Sequence, residues 1–250
     1  MKRIIISLAI LLATITISAQ KVNVAAAADL RYAMDDIVTA YKKANPKADI
    51  KVTYGSSGTA YQQIVNGAPY DIYFSADIMY PQKLKEQGLT ATKPKLYAIG
   101  FIVLWSNQID VLKGMSSLND TKIKKIAIAN PEHAPYGMRA EESLKYYKLY
   151  DELKNKLIMG DNISQTAQYA QTGNAEVGIL ALSLVMSPTM KDQGKYFLID
   201  SKSYSPLEQA YVIIKKSVVN TETYKFAKFV ATPTARAIFK SYGFKLPTEN

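Results

Sequence analysis

The chain of 250 residues has no cysteine, one histidine and one tryptophan. Lack of cysteine excludes disulfide scaffolds, thiolate metal sites, cysteine nucleophiles and a lipid anchor on an N-terminal cysteine. A single histidine excludes centres built on several imidazoles and leaves most hydrolytic chemistry without its usual base. Long apolar runs are also scarce, and none after residue 19 reaches the ~20 residues that cross a bilayer. No arginine-rich block is present. Thirty-one Lys and Arg against 21 Asp and Glu give a formal charge of +10, supplied mostly by scattered lysines, which describes a generally basic surface rather than a nucleic-acid site. What the chain does have is 48% hydrophobic residues, enough to bury one or two cores.

Lys2 and Arg3 precede an apolar run from Ile4 to Ile17, and the small pair Ser18-Ala19 is followed by polar Gln20-Lys21. This is the pattern of a secretory signal peptide over residues 1–19, too short for a transmembrane anchor. Cleavage is expected near Ala19. Removal takes away Lys2 and Arg3 and no carboxylate, so 29 basic minus 21 acidic residues leave a mature charge of +8. The expected product is exported, to a bacterial periplasm or a lipid-free extracellular fate, and export argues against a nucleic-acid partner despite the basic charge.

The mature chain alternates strands and helices. Lys21 to Ala26 reads as a buried strand, and Asp29 opens a segment with Leu30, Ala33, Met34, Ile37, Val38 and Tyr41 at helical spacing, stopped by Pro46. Ile50, Val52 and Tyr54 alternate as a strand. Gly55-Ser-Ser-Gly-Thr then makes a polar turn into a helix from Ala60 to Asn66. Similar steps follow at Ile72, Ile126 and Val177, with helices predicted at Pro81–Gln87, from Met138, and at Ser164–Thr172. This alternation predicts an α/β fold with mostly parallel sheets flanked by helices. About 230 mature residues exceed the usual ~100–150 of one domain, so two lobes are expected. The crossings are placed at strand-like segments such as Tyr97–Trp105 and Gln209–Lys215, giving one lobe from 20–102 and 209–250 and another from 103–208.

Four strand-to-helix junctions are small and polar: Ala26–Leu30, Gly55–Thr59, Ala134–Gly137 and Asp161–Ser164. The first N–H groups of a helix have no partner within it and lie at the positive end of its dipole, so such junctions suit a small anion. Ser56, Ser57 and Thr59 add hydroxyl donors. Ordinary helix capping uses the same residue types, and spacing alone does not show that the four meet.

Catalytic constellations are poorer. Gly55-Ser-Ser-Gly lacks the intervening residue of a G-x-S-x-G elbow, although a serine hydrolase using Ser56 or Ser57 is a distant alternative. His133 lies between prolines with no evident orienting carboxylate and is expected to bond locally. Asp35 and Asp36 are adjacent on a helix and make an unconvincing acid pair. Tyr146-Tyr147 lacks the partners of a ferric-phenolate site, and Trp105 reads as core.

The residues Val22–Leu30, Gly55–Thr59 with Asn66–Asp77, Ala129–Gly137 and Ile238–Phe244, in that order behind a signal segment, resemble the periplasmic molybdate-binding proteins that feed ABC importers. The resemblance covers the mature chain. It implies a two-lobed periplasmic binding protein of type II-like fold, most simply a monomer. One oxyanion, molybdate or tungstate, is held in the cleft by neutral donors and handed to a membrane permease, with no cofactor, no direct cation ligand and no catalysis. A receptor for phosphate or sulfate is the nearest alternative. The family's first serine falls on Asp29, its second on Ser57 beside Ser56, and its backbone donors on Tyr136 and Ile163. Its tyrosine falls near Ala181, where the phenol is missing and Ser183 is a conceivable substitute.

Asp29 is the departure with the largest consequence. Two unit charges ~4 Å apart at an effective dielectric of 20 repel by about 4 kcal/mol, and a dianion doubles that. Micromolar binding is worth about −8 kcal/mol. An ionised carboxylate facing a bare dianion therefore cancels the affinity. Three escapes are open: the side chain turns away to cap the helix from Leu30, the carboxyl is protonated, or the ligand carries a proton. Capping is the expectation, because an N-cap aspartate accepts from the next turn and favours the dipole. Arg31 is a second source of neutralisation.

Overall fold

The computed structural model describes residues 21–247, so the signal segment and its cleavage point lie outside it. β1 (Lys21–Ala27) runs through one 3-10 turn (Ala28–Leu30) into α1 (Arg31–Ala44). β2 (Asp49–Gly55) leads to α2 (Ser57–Val65), and β3 (Ile72–Ser75) to α3 (Met79–Glu86). β4 (Lys95–Gly100) and β5 (Ile102–Ser106) are separated by Phe101 alone. β6 (Ile126–Ala129) leads to α4 (Pro135–Tyr146) and the short α5 (Tyr150–Leu153). β7 (Leu157–Gly160) leads to α6 (Ile163–Gln171), and β8 (Val177–Ala181) to the one-turn α7 (Leu182–Val185). β9 (Lys195–Leu198), β10 (Leu207–Ile213), α8 (Thr221–Phe229) and α9 (Pro233–Ser241) follow.

Two five-stranded sheets result, ordered β2-β1-β3-β10-β4 and β7-β6-β8-β5-β9. In each, one strand runs against the others: β10 is antiparallel to β3 and β4, and β5 to β8 and β9. The reversal follows from the connections. β4 and β9 end at the edge where their sheets' helices begin, and the chain passes from there directly to the other sheet. A strand entering from that shared edge must run away from it. The first passage lies at Phe101, within the predicted Tyr97–Trp105. The return occupies residues 199–206, so Gln209–Lys215 begins inside the first sheet as part of β10 rather than crossing to it.

Each sheet has its own core. Val22, Val24, Phe74, Tyr97 and Tyr211 of the first pack against Leu30, Met34 and Ile37 on the α1 side and against Phe226 and Phe239 of α8 and α9. Trp105, Ile126, Ile128, Val177 and Ile179 centre the second, with Trp105 fully buried as expected. β7 and β9 were not legible in the sequence. Both are edge strands with largely half-buried or exposed residues and no clean alternation. α2 begins three residues before the predicted Ala60, because Ser56 Oγ accepts from the Thr59 N–H at 3.2 Å and caps it there. That shift makes Ser57 the first helical residue.

Candidate functional site

Between the sheets lies a small cavity walled by all four small polar junctions: Ala27–Asp29, Gly55–Ser57, Ala134–Tyr136 and Ile163, together with Ala76. Parallel strands ending at a common edge bring their helix starts together there, and the two sheets present these edges to one another. Asp29, Ser56, Ser57, Tyr136 and Ile163 are thus all brought to one place. Ala181 is not on the wall. It is the buried last residue of β8, paired with Ile102 of β5.

The donors are left over from capping. In α6 the Asn162 Oδ1 accepts from the N–H groups of Ser164 and Gln165 at 3.0 and 3.1 Å, and the Ile163 N–H takes no part. α4 starts with Pro135 after Ala134, a residue with no side-chain acceptor, so the Tyr136 N–H has no cap. In α2 the Gly58 N–H donates to the His133 carbonyl at 2.8 Å and Thr59 is taken by Ser56, which leaves the Ser57 N–H. The buried Ser57 Oγ accepts from the Ala76 N–H at 3.0 Å. Its own proton remains to donate. Ser56 differs: its hydroxyl is 2.7 Å from Thr59 Oγ1 and 2.9 Å from His133 Nδ1, so its bonding is internal.

Asp29 does not cap. Neither the 3-10 turn nor α1 has a side-chain cap bond. Instead Oδ2 accepts from the Tyr136 hydroxyl at 2.9 Å and from Gln209 Nε2 at 2.7 Å. Gln209 is oriented in turn by the Tyr97 hydroxyl, which donates to its Oε1 at 2.7 Å. Asp29 is fully buried, and burial pushes its carboxyl up to about 6, against the lowering influence of Gln209, Tyr136 and the nearby N–H groups of Asp29 and Leu30. Arg31 does not neutralise it, since the guanidinium stacks over the Tyr54 ring at 5.1 Å. Ser183 is no replacement for the missing phenol either, because its hydroxyl donates to the Asp29 carbonyl at 2.8 Å. Capping lost to a buried network because two donors from other elements converge on the same carboxylate.

The cleft is shut by contacts between the sheets' elements. Arg139 of α4 reaches Asp77, after β3, at 2.6 Å, with both side chains nearly buried. Ser164 Oγ donates to the Ala28 carbonyl at 2.9 Å, and Thr189 Oγ1 to the Tyr32 hydroxyl at 2.8 Å. His133, expected to bond locally, instead spans the cleft through both its ring and its carbonyl. Gln209 and the Tyr136 phenol were missed by sequence reasoning. The available signal was a glutamine inside the apolar strand Leu207–Ile213, where it is fully buried.

A family model described as bacterial extracellular solute-binding protein matches residues 22–245. The chain belongs to that family. Among relatives of this solute-binding protein, the molybdate-binding protein ModA of Azotobacter vinelandii is 33% identical over 98% of both chains. That of Rhodobacter capsulatus is 34% identical over 78% of this chain and 77% of its own. The solved structure of the Azotobacter vinelandii periplasmic molybdate-binding protein superposes with a TM-score of 0.86 at 31% identity, covering 91% of this solute-binding protein and 100% of that chain. The two-lobed type II-like architecture agrees with it.

Proposed function

We propose that the protein is an exported receptor for a tetrahedral oxyanion, molybdate or tungstate, which it delivers as a monomer to an ABC permease at the inner membrane. The observation that carries this reading is the convergence of four helix starts on one small cavity walled by small residues. Relatives at 33–34% identity that bind molybdate support the choice of ligand. In this reading the Ser57 hydroxyl and the N–H groups of Ser57, Tyr136 and Ile163 replace the water of the anion. The Asp29 turn closes the wall, Ser56 holds α2 against His133, and Ala181 supports from behind through β8. The lobes expected at 20–102 with 209–250 and at 103–208 follow the two sheets with their bounds moved by one or two residues, since Ile102 opens β5 of the second sheet and Leu207 opens β10 of the first, and the mature chain begins near Gln20 in the periplasm. Binding is by hydrogen bonds to ligand oxygens, with no protein atom on the metal, and the cycle is capture, closure and release without chemistry.

Thermal unfolding of the mature protein tests it. Millimolar molybdate or tungstate raises the melting temperature by mass action, and equal sulfate or phosphate does little. No shift with the first pair overturns the reading, and a larger shift with phosphate or sulfate transfers it to that anion. The Ser56–His133 contact at 2.9 Å has the spacing of a nucleophile and base. Among the described residues, however, no carboxylate is hydrogen-bonded to His133, and Ser56 is already the cap of α2. Turnover of simple esters, lost in Ser56→Ala, is the result that favours a hydrolase.

A further inference from the structure

Asp29 is the only carboxyl among the residues walling the cavity, and no Lys or Arg stands with it there. Its two oxygens are not equivalent. Oδ2 receives the Tyr136 and Gln209 protons. Oδ1 is buried and has no hydrogen-bond partner among the described residues. A proton on Asp29 therefore belongs on Oδ1, since Oδ2 is filled by two donors whose protons already point at it. The Tyr97 hydroxyl has two acceptors, Gln209 Oε1 at 2.7 Å and the Ser75 carbonyl at 3.1 Å, and the shorter contact is the one that turns Gln209 Nε2 toward Asp29.

The groups facing Asp29 supply no compensating charge. α4 contributes the Tyr136 phenol, β10 the Gln209 amide and β4, through Gln209, the Tyr97 phenol. Burial raises both phenols well above their ordinary value, so they stay protonated donors. α7 meets the Asp29 turn through the Ser183 hydroxyl, and α6 through the Ser164 hydroxyl on Ala28. On α1, Arg31 lies over Tyr54 of β2. Burial outweighs the Gln209, Tyr136 and backbone N–H donors that favour the anion, and it holds the Asp29 carboxyl up at about 6.

Building on the oxyanion-receptor reading, we propose that the site takes a bare dianion together with one proton held on Asp29 Oδ1, which makes Asp29 a donor to the ligand and the residue that sets its specificity. An ionised Asp29 places an acceptor and a negative charge against ligand oxygens that can only accept. The neutral acid turns the same oxygen into a donor and gives the whole wall one polarity, matched to an unprotonated oxyanion. The proton comes from solvent when Asp29 is ionised before binding and returns to it on release. Capture of molybdate is thereby coupled to uptake of one proton at neutral pH, and affinity falls as pH rises.

The test is calorimetry of the mature protein with sodium molybdate between about pH 5.5 and 8.5, in pairs of buffers differing in ionisation enthalpy. About one proton is taken up per molybdate at the alkaline end, and Kd rises about tenfold per pH unit there. Asp29→Asn and Asp29→Ser bind molybdate with no proton uptake and little pH dependence. Histidine is the other side chain that ordinarily exchanges a proton in this range, so His133→Gln is included and read by its pH profile alone: loss of the ring contact to Ser56 across the cleft lowers its affinity, while proton uptake and the slope of Kd with pH stay as in wild type. A flat wild-type profile without uptake overturns the proposal while leaving the receptor reading intact. So does a pH dependence that survives in both Asp29 variants or disappears in His133→Gln. Binding by Asp29→Ser with none by the wild type overturns the coupling alone, whereas no binding by any of the four proteins overturns the receptor reading and the proposal with it.

Discussion

The N–H of Gly58, in the first turn of α2, donates across the cleft to the carbonyl of His133 at 2.8 Å. A Cβ on Gly58 would stand 2.6 Å from that oxygen and 2.9 Å from the His133 Cα. The two backbones meet closely because nothing larger than hydrogen stands between them. α2 itself accepts alanine well, and the third close atom, the Tyr80 hydroxyl of α3 at 2.8 Å, is the far end of a side chain while the two His133 atoms are backbone, so Gly58→Ala chiefly obstructs the approach of the sheets. Molybdate affinity is expected to fall by about tenfold or more, with the ligand-free melting temperature within a few degrees of wild type. Calorimetry and thermal unfolding check both, and unchanged affinity would show that closure does not need this contact.

Ser57→Ala removes the one side-chain hydroxyl left to donate to the cavity and also the acceptor of the Ala76 N–H. Hydrogen bonds to charged groups are worth about 1.5–3 kcal/mol, so an affinity loss of roughly ten- to a hundredfold is expected. Ser56→Ala is the contrast. It loses a helix cap, about 1 kcal/mol of stability, with a smaller effect on binding. Equal binding losses in the two variants contradict the separate roles.

Asp29 makes the ligand-free protein sensitive to pH in a defined direction. Burial raises its carboxyl from 3.8 to about 6, so the folded protein holds the proton more tightly than the unfolded chain. The associated stability is fully present below pH 3.8, declines as pH rises and is lost above about 6. A shift of this size corresponds to about 3 kcal/mol. Asp29→Asn is therefore expected to be more stable than wild type at neutral pH by up to about this amount, with the difference vanishing near pH 4. Urea unfolding at the two pH values measures it, and the opposite sign rules out a carboxyl destabilised by burial.

Asp77→Asn keeps an oxygen for the Met79 N–H, which Asp77 Oδ1 receives at 2.9 Å, but removes the charge facing Arg139. Arg139 retains Glu142 at 2.9 Å, on a more exposed side chain. Breaking a buried pair by removing one partner leaves an uncompensated charge, a cost of about 3–5 kcal/mol in the limit. Because the pair joins elements of different sheets, the cost falls on the closed arrangement. Small-angle scattering is expected to show a larger radius of gyration without ligand, and calorimetry a weaker affinity. An unchanged scattering profile would place the pair outside closure.

Much of the fold was legible in local patterns. The helical spacing from Leu30 to Tyr41, the alternation from Ile50 to Tyr54 and the stop at Pro46 correspond to elements that each bury one face, so periodicity reports them. The four junctions were legible too, because helix starts demand small or capping residues. Edge strands β7 and β9 were not, since a strand paired on one side with half-exposed residues carries no such pattern. The direction of Asp29 was misjudged for a related reason. Capping is a decision within four residues, whereas its actual partners, Tyr136 and Gln209, stand 107 and 180 positions away.

By itself, the sequence determined the chemistry at hand: no thiol, one imidazole, an α/β alternation and four helix starts rich in small residues, all consequences of composition and short-range spacing. Tertiary structure decided that those starts share one cavity, that β5 and β10 run in reverse, and that Asp29 is turned to a phenol and an amide rather than to its own helix. Such outcomes depend on which distant groups are brought within hydrogen-bonding reach once water is excluded, and local sequence carries no measure of that distance.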